Sequence, residues 1–269
     1  MDHLHRELAP ISAAGWKEID EEASRTMRHI LAARALLDFS GPHGWRHSAV
    51  STGRVAPLSP GPRAGVQAAS RQLRPLVELR TEFQVSRTEI DAVDRGAYDP
   101  DLSAVTEAAK AAALAEDTSI FHGYAAGGIT GITEASPHEP ITISDDYTTY
   151  PSIVARAVST LMTAGVGGPY AIALGPRCHL GVVETTEHGG YPVFEHLRRI
   201  LGGPVLWAPG VDGAVVLSTR GDDYVIECGQ DFSIGYLDHT ADVVRLYLEE
   251  SFTLVIEDAA AAVPLVYAG

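Results

Sequence analysis

The chain has 269 residues, 45% hydrophobic and 20% charged, with a formal net charge of −15, enough for one large domain or two lobes around a sizeable core. That acidic balance excludes nucleic acid as the main partner, because phosphate binding needs clustered cations. The opening Met1-Asp2-His3-Leu4-His5-Arg6 has no apolar signal-peptide core, and no apolar run reaches the ~18 residues of a membrane span; a cytoplasmic protein without a membrane partner is expected. The two cysteines, Cys178 and Cys228, fit a reducing compartment and leave a disulfide between them open.

In chain order, Ser12 caps a helix predicted to run to about Leu37, its residues Trp16, Ile19, Ala23, Met27, Ile30, Leu31 and Leu37 falling at helical steps. Ser40-Gly41-Pro42-His43-Gly44 ends it with turn chemistry. A Pro/Gly/Ser-rich stretch through Pro57, Pro60, Gly61, Pro62 and Gly65 is too poor in apolar residues to own a core and reads as an extended arm or hairpin. Val77, Leu79, Thr81, Phe83 and Val85 alternate with polar residues, the pattern of a half-buried strand. An alanine-rich helix is expected from Ser103 to about Asp117, then a change of direction in the glycine-rich run 123–131. Ser152–Met162 reads as a helix with Ile153, Val154, Ala157, Leu161 and Met162 inward, Tyr170–Leu174 as a buried strand, and Pro192–Leu201 as a helix. Ala214–Ser218 and Tyr224–Cys228 are predicted to form a hairpin about Arg220-Gly221-Asp222-Asp223, with further strands at Phe232–Tyr236, Val243–Leu248 and Phe252–Ile256. The whole is α+β.

Charge is uneven along the chain. Between Arg46 and Arg80 six arginines face one acid, Glu78, so this stretch carries +5 and the rest −20. Asp238–Asp258 holds six acids against Arg245. A cationic arm (Arg54, Arg63, Arg71, Arg74) on an anionic body points to the acidic flank of a neighbouring copy, against the plainer reading of a solvated loop.

The search for chemistry comes back nearly empty. Both lysines, Lys17 and Lys110, lie away from any phosphate-loop pattern, and Gly127, Gly128 and Gly131 do not form a dinucleotide fingerprint. No histidines pair at i, i+4 on a helix, and Glu195-His196 has no second histidine at useful spacing, so no metal site is expected. Asp231-Phe232-Ser233-Ile234-Gly235 has Asp where a nucleophile elbow needs glycine. No catalytic residues are expected. Two features carry an alternative to the plain structural reading. Met27, Leu31, Arg34 and Asp38 form a helical stripe: either a core face ending in an Arg34–Asp38 ion pair, or a docking groove for a peptide. The acidic, polar segment Glu184-Thr185-Thr186-Glu187-His188-Gly189-Gly190 is a surface loop, or the ring of a channel if copies meet at a symmetry axis.

Several segments resemble the family 1 encapsulin shell proteins (linocin-like): Leu8-Ala9-Pro10-Ile11, Trp16-Lys17-Glu18-Ile19-Asp20, Gly41-Pro42-His43-Gly44-Trp45, Pro75 to Arg80, Ile120-Phe121-His122-Gly123, Gly168-Pro169-Tyr170, Gly229 to Tyr236 and Val244-Arg245-Leu246-Tyr247. The likeness is collinear over nearly the whole chain. It implies the tailed-phage major capsid protein fold (Hong Kong 97-like): an N-terminal helix and the start of a peripheral lobe in 1–45, an extended arm in 46–75, the peripheral lobe with a spine helix in 76–130, an axial lobe in 131–224, and a return to the peripheral lobe in 225–269. It further implies many copies closing into an icosahedral shell, the smallest having 60 subunits, around a cargo enzyme held by its C-terminal targeting peptide. The cargo in this family is commonly a dye-decolorising peroxidase or a ferritin-like iron-storage protein. The resemblance places cargo binding at Met27, Ile30, Leu31, Arg34, Asp38, Ser233, Ile234 and Tyr236, and the pore lining at Thr186, Glu187, His188, Gly189 and Gly190. Where some relatives hold a flavin against an aromatic, this chain has Arg87-Thr88, so no cofactor is expected. The competing readings are a phage or prophage capsid protein and, with less support, a small hydrolase or bacteriocin-like protein.

Overall fold

A computed structural model describes residues 3–187 and 189–268. Helix α1 (Ala13–Met27) starts where the Ser12 hydroxyl accepts the Gly15 amide at 3.0 Å, and it buries Trp16, Ile19, Ala23 and Met27 along one face. It does not continue to Leu37. The chain turns at 28–31 and restarts as α2 (Ala32–Leu36), because the buried Asp117 carboxylate accepts the amides of Ala32 (2.8 Å) and Ala33 (3.1 Å) and so begins a new helix. Burial raises the Asp117 carboxyl to about 7, against the lowering effect of those two amides. The short strand β1 (Asp38–Ser40) follows.

The predicted arm is a two-stranded antiparallel hairpin, β2 (Ala49–Leu58) with β3 (Ala68–Pro75), whose strands pair with neither of the two larger sheets. Strand β4 (Val77–Ser86) keeps its alternation, with Phe83 and Val85 buried. After α3 (Arg87–Asp94), the long α4 (Ser103–His122) presents Val105, Ala108, Ala109, Ala112, Ala113, Glu116, Asp117 and Ile120 as one buried face, the alanines allowing close approach to α1 and β4. Gly123, at φ +88, turns the chain out of α4.

The second half begins with α5 (Ile132–Ala135) and β5 (Ile141–Ile143), then α6 (Tyr150–Thr163), β6 (Tyr170–Leu174), α7 (Pro176–Glu184), α8 (Val193–Leu201) and β7 (Gly202–Trp207). Met162, expected inward on α6, is 64% exposed. Four more strands follow a further strand, β8 (Ala214–Ser218): β9 (Tyr224–Cys228), β10 (Ser233–His239), β11 (Val243–Ile256) and β12 (Ala262–Tyr267). They sort into two sheets. One has the order β1-β9-β11-β10 with β4 also on β11; the other is β5-β12-β8-β6-β7.

The predicted β8–β9 hairpin is therefore wrong: its strands belong to different sheets. All five residues of β8 are buried, as a central strand requires, whereas β9 is only alternately buried. The segment between them is a pinned corner. Arg220 binds Asp223 (2.6 Å) and Asp258 (2.8 Å), and the Asp222 amide donates to Asp38 at 2.6 Å. The two strands expected at 243–248 and 252–256 are one strand, β11, which pairs with β10 and β4 through its first half and with β9 through its last residues. Strand β12 lies in the second sheet, between β5 and β8. Cys178 and Cys228 are both buried free thiols, which closes the disulfide alternative. Among the described residues, no helix is long and apolar enough to cross a membrane.

Candidate docking groove, loop and arm

Between α1, α2 and β10 lies a groove of about 620 Å³. Ala23 and Met27 form its α1 wall, Leu31 and Arg34 its far wall, and Phe232, Ser233, Ile234 and Leu248 its floor. The N-terminal segment closes one side. Leu4 lines the groove, and its carbonyl accepts the Tyr236 amide at 2.8 Å, a contact with the outer edge of β10. Arg6 pairs with Asp20 at 2.7 Å and lies 4.0 Å over the Trp16 ring, which holds this strap in place.

Five of the eight residues expected in a docking site line the groove: Met27, Leu31, Arg34, Ser233 and Ile234. Three do not. Ile30 is in the core, because the break after Met27 rotates it inward. Asp38 has left the helix for β1, where it accepts the Asp222 amide. Tyr236 is half-buried against the core, its hydroxyl bonded to His239.

Arg34 does not pair with Asp38. Its guanidinium meets Glu116 in a two-pronged contact (2.6–2.8 Å), Asp231 at 2.7 Å and Glu250 at 3.1 Å, with the Phe39 and Phe232 rings 4.9 and 4.7 Å away. Burial alone would lower its proton affinity; Glu116, Glu250 and Asp231 more than reverse that, so the guanidinium is held firmly charged. Two of those carboxylates, Glu116 and Glu250, are fully buried beside a single cation. Burial and the nearby Glu116 charge push the Glu250 carboxyl well above its ordinary range. Arg34 is thus a clamp joining α2, α4 and the β10–β11 sheet under the groove, with its fork turned inward.

Sequence reasoning missed Leu4, Phe232 and Leu248 in the groove and Glu116 beneath it. A signal for Glu116 was present: Ala108, Ala112 and Glu116 are spaced by four, so the carboxylate had to fall on the buried face of α4.

In the predicted pore loop, Thr186 bridges to Pro192, and the Glu187 amide donates to the Tyr191 carbonyl at 2.8 Å. Gly189 (φ +113) and Gly190 (φ +80) supply the backbone that this tight turn needs. Glu187 pairs with His196 of α8 at 3.0 Å, a partner the sequence did not reveal. Thr186, Gly189 and Gly190 are exposed; His188 lies outside the described residues.

On the arm, Arg54, Arg63 and Arg71 are exposed and make no ion pair among the described residues, and Val55, Leu58, Val66 and Leu73 are 49–61% exposed. Arg74 sits at the root and donates to the Leu254 carbonyl at 3.3 Å. A two-stranded ribbon with apolar side chains in water is marginal by itself. Arg87 and Thr88, the position considered for a flavin, open α3. The Ser233 hydroxyl donates to the Asp231 carbonyl at 2.7 Å. One grouping was not foreseen from the sequence: His43 and His47, four residues apart, and the distant Glu227 come together at the base of the arm.

The family model described as "Encapsulating protein for peroxidase" matches residues 1–253. The chain belongs to the encapsulin shell protein family. It is 49% identical to the type 1 encapsulin shell protein of Rhodospirillum rubrum over 98% of this chain and 96% of that one. It is 45% identical to the type 1 encapsulin shell protein of Mycobacterium tuberculosis over 98% and 99%. These relatives are named as shell proteins, a structural part rather than a catalyst. Among solved structures, the virus-like particle of Pyrococcus furiosus aligns over 92% of this chain and 98% of its own at a TM-score of 0.66 and 16% identity. The structure titled "Mycobacterium phage Bobi" aligns over 89% and 91% at 0.56 and 15%. At such identities the likeness is one of fold, and the fold is that of the encapsulins and tailed-phage capsids.

Proposed function

We propose that copies of this chain close into an icosahedral shell, at its smallest the 60-subunit one, and that the shell encloses a cargo enzyme captured by its C-terminal targeting peptide. The observation that carries the assembly reading is the β2–β3 arm, whose exposed Arg54, Arg63 and Arg71 make no ion pair among the described residues and whose Val55, Leu58, Val66 and Leu73 stay exposed. The strongly acidic body of a neighbouring copy supplies the complementary charge. Turns 186–190, brought together at a symmetry axis, line a pore for small solutes, and the Glu187–His196 pair stiffens each turn.

The groove supports the capture reading. Its half-buried Leu31 and Phe232 and its adaptable Met27 offer apolar contact. Strand β10 ends its sheet, and beyond the Tyr236 amide, which Leu4 already takes, its outer edge can offer a peptide main-chain hydrogen bonds. Of the two cargo classes, a dye-decolorising peroxidase agrees with the description of the matching family model; a ferritin-like iron-storage protein is the second. Coexpression with each candidate, its last residues intact or deleted, tests capture. The expected result is copurification that depends on that tail. Equal copurification without the tail contradicts the groove reading.

A further inference from the structure

The turn from β1 into the arm carries His43 and His47, and β9 beside it carries Glu227. One ring nitrogen of each histidine and a Glu227 carboxylate oxygen lie within 4.8 Å of one another. We propose that His43, His47 and Glu227 form a binding site for a first-row divalent transition metal ion of the Zn²⁺ type, tying the root of the arm to β9.

The contact between His43 Nε2 and Glu227 Oε2 is 3.1 Å, close to the ~3.3 Å that two ligands keep when each is ~2.0–2.1 Å from a tetrahedral ion. The three ligand atoms lie within 4.8 Å of one another, so His47 must move closer to complete the set. Its Nε2 is buried and has no hydrogen-bond partner, a state that folded proteins avoid and that a metal bond relieves. The two rings are tilted at 53°, with centroids 4.8 Å apart, rather than stacked.

The backbone that presents them is fixed. His43 N donates to Cys228 O at 3.0 Å, Gly44 N to Gly229 O at 2.6 Å, and His47 N to Gly44 O at 3.0 Å. Gly41, at φ +126, packs so closely on Cys228 that a Cβ would stand 2.4 Å from its carbonyl oxygen. The turn is thus seated on the strand that supplies the carboxylate, as a preorganised site requires. Two imidazoles and one carboxylate suit Zn²⁺, Co²⁺ or Ni²⁺; Ca²⁺ and Mg²⁺ want an all-oxygen shell. Three protein ligands leave a position for water, and His43 is exposed enough to admit it. The simpler occupant of this geometry, a His43–Glu227 hydrogen bond supported by Ser40 Oγ at 3.0 Å, gives His47 no part.

The experiment is titration of full-length assembled protein, stripped with a chelator and dialysed, with Zn²⁺ alone by calorimetry, and with Co²⁺ by visible absorption. The expected result is one saturable ion per chain, with the absorption of four-coordinate Co²⁺. His47→Ala and the shape-conserving Glu227→Gln each weaken binding by about tenfold or more, while His29→Ala, on an exposed residue elsewhere, leaves it unchanged. Binding that is absent in the wild type, or unaltered by both His47→Ala and Glu227→Gln, overturns the proposal.

Discussion

Arg34 and the arginines of the β2–β3 arm are the same residue in opposite circumstances. Arg34 sits under the groove with three carboxylates and two aromatic rings around it. Arg54, Arg63 and Arg71 stand in solvent on a ribbon whose strands pair with neither main sheet. Arg34 is paired within its own chain; the three arm arginines have no ion-pair partner among the described residues, and in the proposed assembly they meet another molecule. A cation pairing inside the fold contributes to the stability of one chain and is little screened by salt, whereas a cation pairing across an interface contributes to assembly and is weakened by salt.

The largest effect expected from this contrast is at Arg34. Arg34→Ala strands Glu116 and Glu250 without their cation and costs about 3–5 kcal/mol, read from the urea midpoint at fixed protein concentration. Any one of Arg54, Arg63 or Arg71 to alanine shifts the same midpoint by no more than about 0.5 kcal/mol. A loss at Arg34 as small as that would erase the distinction.

Leu31→Asp probes the groove above the clamp. A charge on its apolar wall should lower the cargo-to-shell ratio, measured by gel densitometry of purified particles, by about tenfold or more, since a hot-spot contact is worth ~2 kcal/mol. Particle size should stay the same. Normal loading in that variant would put capture elsewhere.

Asp117 gives a pH test of how α2 is started. Its folded carboxyl is raised to about 7 from the ordinary value of 3.8, so between these pH values the folded chain binds more protons than the unfolded one. Its contribution to stability is therefore fully present below the lower value and declines as pH rises through the window. Asp117→Asn should flatten that part of the stability profile; an unchanged slope would show that the carboxyl titrates normally.

A small effect is expected at the 186–190 turn. Glu187→Gln removes a partly exposed pair with His196 and should cost at most about 1 kcal/mol, seen as a slight drop in thermal midpoint with particles intact. A drop as large as that at Arg34 would make the turn part of the core.

Legibility in the sequence followed the range of the forces involved. Local patterns were readable: the α1 face from Trp16 to Met27, the alternation from Val77 to Val85, the alanine face of α4 and the solvent-rich arm. Features made by residues far apart in the chain were not. The break after Met27 depends on Asp117, 85 residues from Ala32, taking up two amides. The split of β8 from β9 depends on β12 and β1 claiming one strand each. For the groove, helical spacing found Met27, Leu31 and Arg34, but it carried Asp38 along on a helix that had already ended. Leu4 and Phe232 were invisible because only the folded chain lays them beside α1.

The most direct test of the central claim, that the arm's unmet charges belong to a neighbouring copy, is sedimentation velocity of the full-length chain across a salt series, beside Arg54→Ala/Arg63→Ala/Arg71→Ala combined. The account predicts a single large closed particle for the wild type in moderate salt, and for the triple variant incomplete assembly or dissociation at lower salt. Wild-type protein sedimenting as a monomer throughout, or a triple variant with the same particles at every salt concentration, would contradict it.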